Sequence, residues 1–216
     1  MVHSTMIATP KPTKATAKPV GQLMDAAREG DTETLGQLLQ MYRNYLSVLA
    51  STQLDGRLRR RLNSSDVVQE TMLAAHRDFG AFRGQSEGEL LAWLRQILIN
   101  CVRHAVEVHV KAKKRDVRRE VALDAASKRA NDSMLRLGNI LADRGRSPSE
   151  ECGQRELAVS VADQLAKLKP DYRDVIVLRN LQGLSFDEVA DQMGRTKGSV
   201  RMLWLRAMEK FKQTYE

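Results

Sequence analysis

Ser185-Phe-Asp-Glu188 constrains this chain more than any other stretch. A hydroxyl three residues ahead of a glutamate is the capping-box pattern, in which each side chain satisfies a backbone donor that a helix start leaves unpaired. A helix therefore begins there, and Phe186, Val189, Ala190 and Met193 repeat at i, i+3, i+4 and i+7 to give it one apolar stripe. Gly194 supplies the tolerance of positive φ that a helix terminus asks for. Thr196 opens a second helix, in which Val200, Leu203, Trp204, Ala207 and Phe211 face the first. Two short amphipathic helices joined by so tight a turn form a helix-turn-helix.

The other side of the second helix is not a plain solvated face. At roughly 100° per residue, Gly198, Ser199, Met202, Leu205, Arg206 and Glu209 point away from the apolar stripe, and Arg201 flanks them. Arginine suits bidentate contact to guanine or a phosphate, serine suits phosphate oxygens, and methionine or leucine suits a thymine methyl. An ordinary amphipathic helix with two stray apolar residues would show the same spacing, so the charge balance has to separate the two readings. Lys+Arg number 35 against 27 Asp+Glu, a formal charge of +8 over 216 residues, and a positive excess favours a polyanionic partner. Its placement adds to this: Arg57, Arg59, Arg60 and Arg61 form one cluster, and Lys111, Lys113, Lys114, Arg115, Arg118 and Arg119 form another.

Aromatic residues make up only 5% of the chain, and proline is scarce beyond position 19, so an all-α fold is expected. Two cysteines, Cys101 and Cys152, make no disulfide framework and have no metal-ligand spacing with the four histidines; no metal or cofactor is expected. Cys101 falls on an apolar helical stripe, where a buried free thiol is the default. No run of about eighteen apolar residues is present to span a membrane, and the N-terminal segment lacks the apolar core of a secretory signal, so a cytoplasmic location is expected. No Ser/His/Asp grouping, metal triad or glycine-rich phosphate loop points to catalysis, and the chain is read as a non-enzyme.

Residues 1–20 read as a basic, Pro-rich disordered tail. A short helix over Gly21–Glu29 follows, then one longer helix capped by Asp31 and carrying Leu35, Leu38, Leu39, Tyr42, Leu46 and Leu49. Asn63-Ser-Ser-Asp66 starts the next, with Val67, Val68, Met72, Leu73 and Ala75 as its apolar content and Gly80 as its stop. After the loop Ala81-Phe-Arg-Gly-Gln85, a second capping box, Ser86 to Glu89, begins a long helix that runs to about Val121. Its buried stripe is Leu90, Leu94, Ile97, Cys101, Ala105 and Val108. Residues 122–150 lose the periodicity and read as a polar linker with a transient helix near Met134 to Leu141. Helical spacing resumes at Leu157, Val161, Leu165 and Leu168, and Pro170 sets off a short helix with Val175, Ile176 and Leu178. The expected architecture is two small helical domains, 21–121 and 151–216, joined by a flexible linker.

Within the first domain, Asp66-Val-Val-Gln-Glu70, Phe82-Arg-Gly84, Trp93-Leu-Arg-Gln-Ile97 and Asn100 follow one another in an order that resembles region two of bacterial RNA polymerase sigma factors. In the second, Leu168-Lys-Pro-Asp-Tyr-Arg-Asp-Val175, Gly183-Leu-Ser-Phe-Asp-Glu-Val-Ala190 and Gly198-Ser-Val-Arg201 resemble region four. The chain is thus similar to the sigma-70 superfamily, in its extracytoplasmic-function (ECF) class, which is built from those two regions; the resemblance covers roughly Gly21 to Phe211 and leaves the linker unmatched.

That resemblance implies a division of labour. Asp66, Gln69 and Glu70 would meet a basic coiled-coil of the polymerase clamp, although acidic groups in a first helical turn also complement the helix dipole. Phe82, Arg83, Gly84, Gln85 and Ser86 would form the loop that takes a base flipped from the −10 strand, with Asn100, Arg103 and Lys111 along the next helix tracking the opened backbone. Trp93 is read as core. Arg201, Met202, Leu205 and Arg206 align with the family's −35 readers, which is nearly the face chosen by helical spacing alone, and Lys197 and Ser199 precede them. Between Ser86 and Trp93 the chain is longer than many relatives by two residues, which bears on the shape of the −10 loop. The implied partners are RNA polymerase core, promoter DNA and an anti-sigma factor. The rival readings are a helix-turn-helix regulator that works without polymerase, and an interaction protein that touches no DNA.

Overall fold

The computed structural model describes residues 19–54, 63–110, 132, 136 and 151–215, and every regular element among them is helical, as the sequence led us to expect. Val20–Arg28 (α1), Thr32–Met41 (α2), Arg43–Gln53 (α3), Ser64–Asp78 (α4) and Glu87–Val110 (α5) make up the first half. Glu151–Ala166 (α6), Pro170–Ile176 (α7), Phe186–Met193 (α8) and Lys197–Tyr215 (α9) make up the second.

The helix starts are set by the residues that the sequence marks for them. The backbone N–H of Thr34 donates to Asp31 Oδ1 at 2.9 Å, a cap of a kind worth about 1 kcal/mol. Ser65 N–H donates to Asn63 Oδ1 at 3.1 Å, and Ser185 and Glu188 satisfy each other's backbone donors in a complete capping box. Gly194, at φ 62°, takes the left-handed conformation that ends α8.

Three expectations need correction. The single helix drawn through Leu35–Leu49 is two helices: Tyr42, at φ −98° and ψ 2°, closes α2 and opens α3. Its N–H bonds to Leu39 O at 3.1 Å while its own carbonyl receives Leu46 N–H at 2.9 Å, so the break consumes only one residue. All six apolar residues of that stripe stay buried across it. Val108, assigned to the buried stripe of α5, is 55% exposed. The stop placed at Gly80 comes at Asp78, where α4 tightens into a 3-10 turn over Phe79–Ala81.

α4 packs on α5 and α3, α1 on α2, and α9 on α7 and α8. α7 runs on into a wider π-helical turn, Val177–Leu181, in which the N–H of Gln182 reaches back to Val177 O at 2.9 Å. α3 lies against α6 and that turn: Asn44 Nδ2 donates to Asp163 Oδ1 at 2.9 Å, and Gln182 Nε2 to Ser51 O at 2.9 Å. Arg136 is helical and donates to Leu181 O at 3.3 Å. The tail up to residue 18, the Arg57–Arg61 cluster, Lys111, the basic run Lys113–Arg119, the rest of the 122–150 linker with its helix near Met134, and the side chain of Cys152 lie outside the described residues. Among the described residues no helix is long and apolar enough to cross a membrane.

Candidate nucleic-acid interface

α4 carries its chemistry on one side. Val67, Val68, Thr71 and Ala75 face the core, which leaves Asp66, Gln69 and Glu70 exposed together on the opposite side, with Leu73 one turn further on and 66% exposed. An acidic patch with an apolar residue at its edge has the composition of a docking face: charge steers the encounter and the desolvated side chain holds it.

The loop after α4 is anchored from inside. Phe82 is buried, only 6% exposed, its ring 4.9 Å from Trp93 and 5.8 Å from Phe79. Trp93 thus belongs mainly to this aromatic cluster, as read from its helical angle, and Phe82 holds the loop in place instead of offering a stacking surface. Arg83, Gln85 and Ser86 remain exposed above it. Glu89 Oε2 accepts from Gln85 N–H at 2.8 Å, Ser86 N–H at 3.0 Å and Ser86 Oγ–H at 2.9 Å, and Ser86 Oγ in turn accepts from Glu89 N–H at 3.3 Å. Those donors, the Gln85 N–H foremost, hold the Glu89 carboxyl below the usual glutamate range. Below the loop lies an open hollow of about 550 Å³, bordered by Arg28, His76, Phe79, Phe82, Arg83 and Gln85.

Arg28 escaped the sequence reading. Its guanidinium reaches from α1 to donate to the carbonyl of Gly84, sits 5.9 Å from the Phe82 ring and pairs with Asp25 at 3.2 Å. A contact across 56 positions leaves no periodic trace in a single sequence.

Along α5, Asn100 Oδ1 accepts from Gln96 Nε2 at 3.2 Å and Arg103 Nη2 at 2.9 Å, so Gln96, Asn100 and Arg103 share one side of the helix. Cys101 is buried on the other side, and that burial pushes its thiol pKa up, so it stays protonated and inert.

In the helix-turn-helix, Val200, Ala207 and Phe211 are buried while Gly198, Ser199, Arg201, Met202, Leu205, Arg206 and Glu209 are exposed, as the helical wheel predicts. Met202 and Leu205 are 51% and 53% exposed, flanked by the two arginines. Lys197 Nζ pairs with Asp187 Oδ2 at 2.7 Å, and Arg195 with Asp171 at 2.6 Å. Both pairs are open to solvent and so contribute at most about 1 kcal/mol each. Ser199 N–H is held by Thr196 Oγ1 at 3.3 Å, which fixes the start of α9. Among the described residues no grouping of His, Cys, Asp and Glu could hold a metal ion.

Comparison with known proteins finds the same likeness in both halves of the chain. The model of sigma-70 region 4 matches residues 158–211. The ECF RNA polymerase sigma-E factor of Haemophilus influenzae is 29% identical over 187 residues, 87% of this chain and 90% of that protein. This chain is similar to the ECF class of sigma-70 factors over most of its length. The RNA polymerase sigma-H factor of Pseudomonas aeruginosa is 28% identical over 87% of this chain and 89% of its own length. The ECF sigma factor BldN of Streptomyces coelicolor is 26% identical over 87% of this chain and 62% of its own. The residues matched to region four span α6 to α9 apart from their outermost turns.

Proposed function

We propose that this sigma factor binds RNA polymerase core through the α4 face of Asp66, Gln69 and Glu70, captures the opened −10 strand with the Phe82–Ser86 loop and the Asn100–Arg103 side of α5, and reads the −35 element with α9. Lys111, which lies outside the described residues, is assigned to the same strand contact from its place in the sequence. Lys197, Ser199, Arg201, Met202, Leu205 and Arg206 would face the major groove. The observation that carries this reading is the half-exposed Met202 and Leu205 between Arg201 and Arg206, on a helix whose opposite side is sealed into the core. A lone exposed leucine is ordinary, but two large apolar groups side by side and rimmed by arginines make a patch of the kind that marks an interaction surface.

Two weak sites acting together explain how modest contacts suffice: once α4 holds the factor on polymerase, each DNA contact becomes intramolecular. The net charge of +8 adds a sequence-independent attraction to the phosphate backbone. A cytoplasmic location and control by an anti-sigma factor follow from this role in the family. The deciding experiment is run-off transcription over a pool of genomic fragments with core polymerase that lacks any sigma factor. Defined transcripts that require this chain are expected; initiation unchanged by its addition would end the reading.

A further inference from the structure

Arg201 and Arg179 share one aromatic ring. The Arg201 guanidinium lies 5.5 Å from the centre of Phe186 and that of Arg179 lies 4.7 Å from it. Phe186 is itself held: it meets Trp204 edge-on at 5.8 Å, and the Trp204 indole N–H donates to Asn180 Oδ1 at 2.9 Å. Arg179 is fixed by donating to Leu184 O at 2.7 Å. The π-helical turn therefore sends two consecutive side chains forward, Arg179 to the ring on α8 and Asn180 to the indole on α9. These contacts tie three elements together around Phe186, at the point where the exposed Arg201 leaves α9.

We propose that Phe186 is a positioning residue for Arg201, its ring holding the guanidinium in place before DNA arrives. The inference rests on the reading of α9 as a −35 helix. A long, exposed arginine gives up rotamer freedom when it binds. A guanidinium–ring contact restrains the side chain without engaging a hydrogen-bond acceptor, so its N–H donors remain for guanine O6 and N7 or for a phosphate oxygen. Lys197 is restrained differently, by the carboxylate of Asp187, which has to be exchanged before it can contact DNA.

The test uses full-length protein in holoenzyme with core polymerase, and duplexes selected by the wild-type holoenzyme from a randomised −35 pool. Phe186→Leu keeps an apolar side chain and removes the ring; Phe186→Tyr keeps the ring. Affinity for the selected duplex is expected to fall about two- to fivefold in Phe186→Leu, the range of an exposed cation–ring contact, and to be restored in Phe186→Tyr. Phe186→Leu placed on Arg201→Ala is expected to cost nothing more. In the free protein, the Arg201 Nε–H resonance should carry a ring-current shift that Phe186→Leu removes, and a thermal melt of each variant shows that the fold is kept. If Arg201→Ala weakens binding but Phe186→Leu has no effect, or its loss adds in full to that of Arg201→Ala, Phe186 acts only through the fold and the inference is overturned. If Arg201→Ala and Arg206→Ala are both silent, the −35 reading of α9 falls and takes the inference with it.

Discussion

Asn44 Nδ2 donates to Asp163 Oδ1 at 2.9 Å and so joins α3 of the first half to α6 of the second. Asn44→Asp turns this hydrogen bond into two facing carboxylates. Both positions are half-buried, and losing the bond should cost about 1 kcal/mol. We expect faster amide exchange in α6 and the middle of α3 at neutral pH, measured by hydrogen–deuterium exchange. Unchanged protection in α6 would show that the Asn44 contact contributes nothing to holding the halves together.

Gly84 has no room for a side chain. A Cβ there would meet Phe82 Cζ at 2.5 Å, Phe82 Cε2 at 2.7 Å and Glu89 Cβ at 2.8 Å. The Phe82 ring is clamped by Phe79 and Trp93 and cannot swing clear, so Gly84→Ala must displace the loop. The expected result is loss of −10 strand opening, read by permanganate footprinting, with −35 duplex binding intact. Normal opening would mean that the loop's shape is not what the strand recognises.

Charge reversal at Glu70 tests the α4 face. Glu70 is exposed and lies outside the core, so Glu70→Lys should leave the melting temperature within a degree or two, since surface changes of this kind fall within about 0.5 kcal/mol. It should nonetheless abolish co-purification with core polymerase. Leu73→Ala, one turn along the same face, should weaken the association less.

How much of this was legible beforehand depended on distance along the chain. The caps at Asp31, Asn63, Ser86 and Ser185 act within three residues and were readable from residue type alone. The outward face of α9 followed from helical periodicity, because the buried positions Val200, Ala207 and Phe211 fix the angle of the rest. Tyr42 was missed for a physical reason: a break that costs one residue leaves Leu39, Tyr42, Leu46 and Leu49 all buried, and a stripe that survives its own interruption gives no sign of it. The inward turn of Phe82 and the reach of Arg28 to Gly84 depend on which helices meet, and spacing within one segment does not encode that.

The loop should also respond to acid. Backbone and side-chain donors at Gln85 and Ser86 lower the folded pKa of Glu89 relative to the unfolded chain. The sign follows: the stabilisation is fully present above the ordinary glutamate range and is lost as pH falls through the depressed folded value. Glu188 is lowered in the same way by Ser185. Glu89→Gln should therefore loosen the loop at neutral pH and remove that acid-side loss, seen as flattened pH dependence of the Gln85 and Ser86 amide shifts. An unchanged titration in the variant would assign the transition to another carboxyl.

Arg206 stands one helical turn beyond Met202 on the exposed face of α9. A side chain at that position reaches either a base edge or the backbone, and the two have different signatures. Bidentate contact to guanine makes Arg206→Ala cost about 1–3 kcal/mol on the selected −35 duplex and little on scrambled DNA. A phosphate contact makes the loss equal on both and lowers the salt slope by about one. We expect the first pattern, because Met202 and Leu205 beside it are half-exposed and gain from contact with thymine methyls only if that face enters the groove. Competition binding of holoenzyme across a salt series separates the two outcomes, and a uniform loss would reassign Arg206 to anchoring the helix on the backbone.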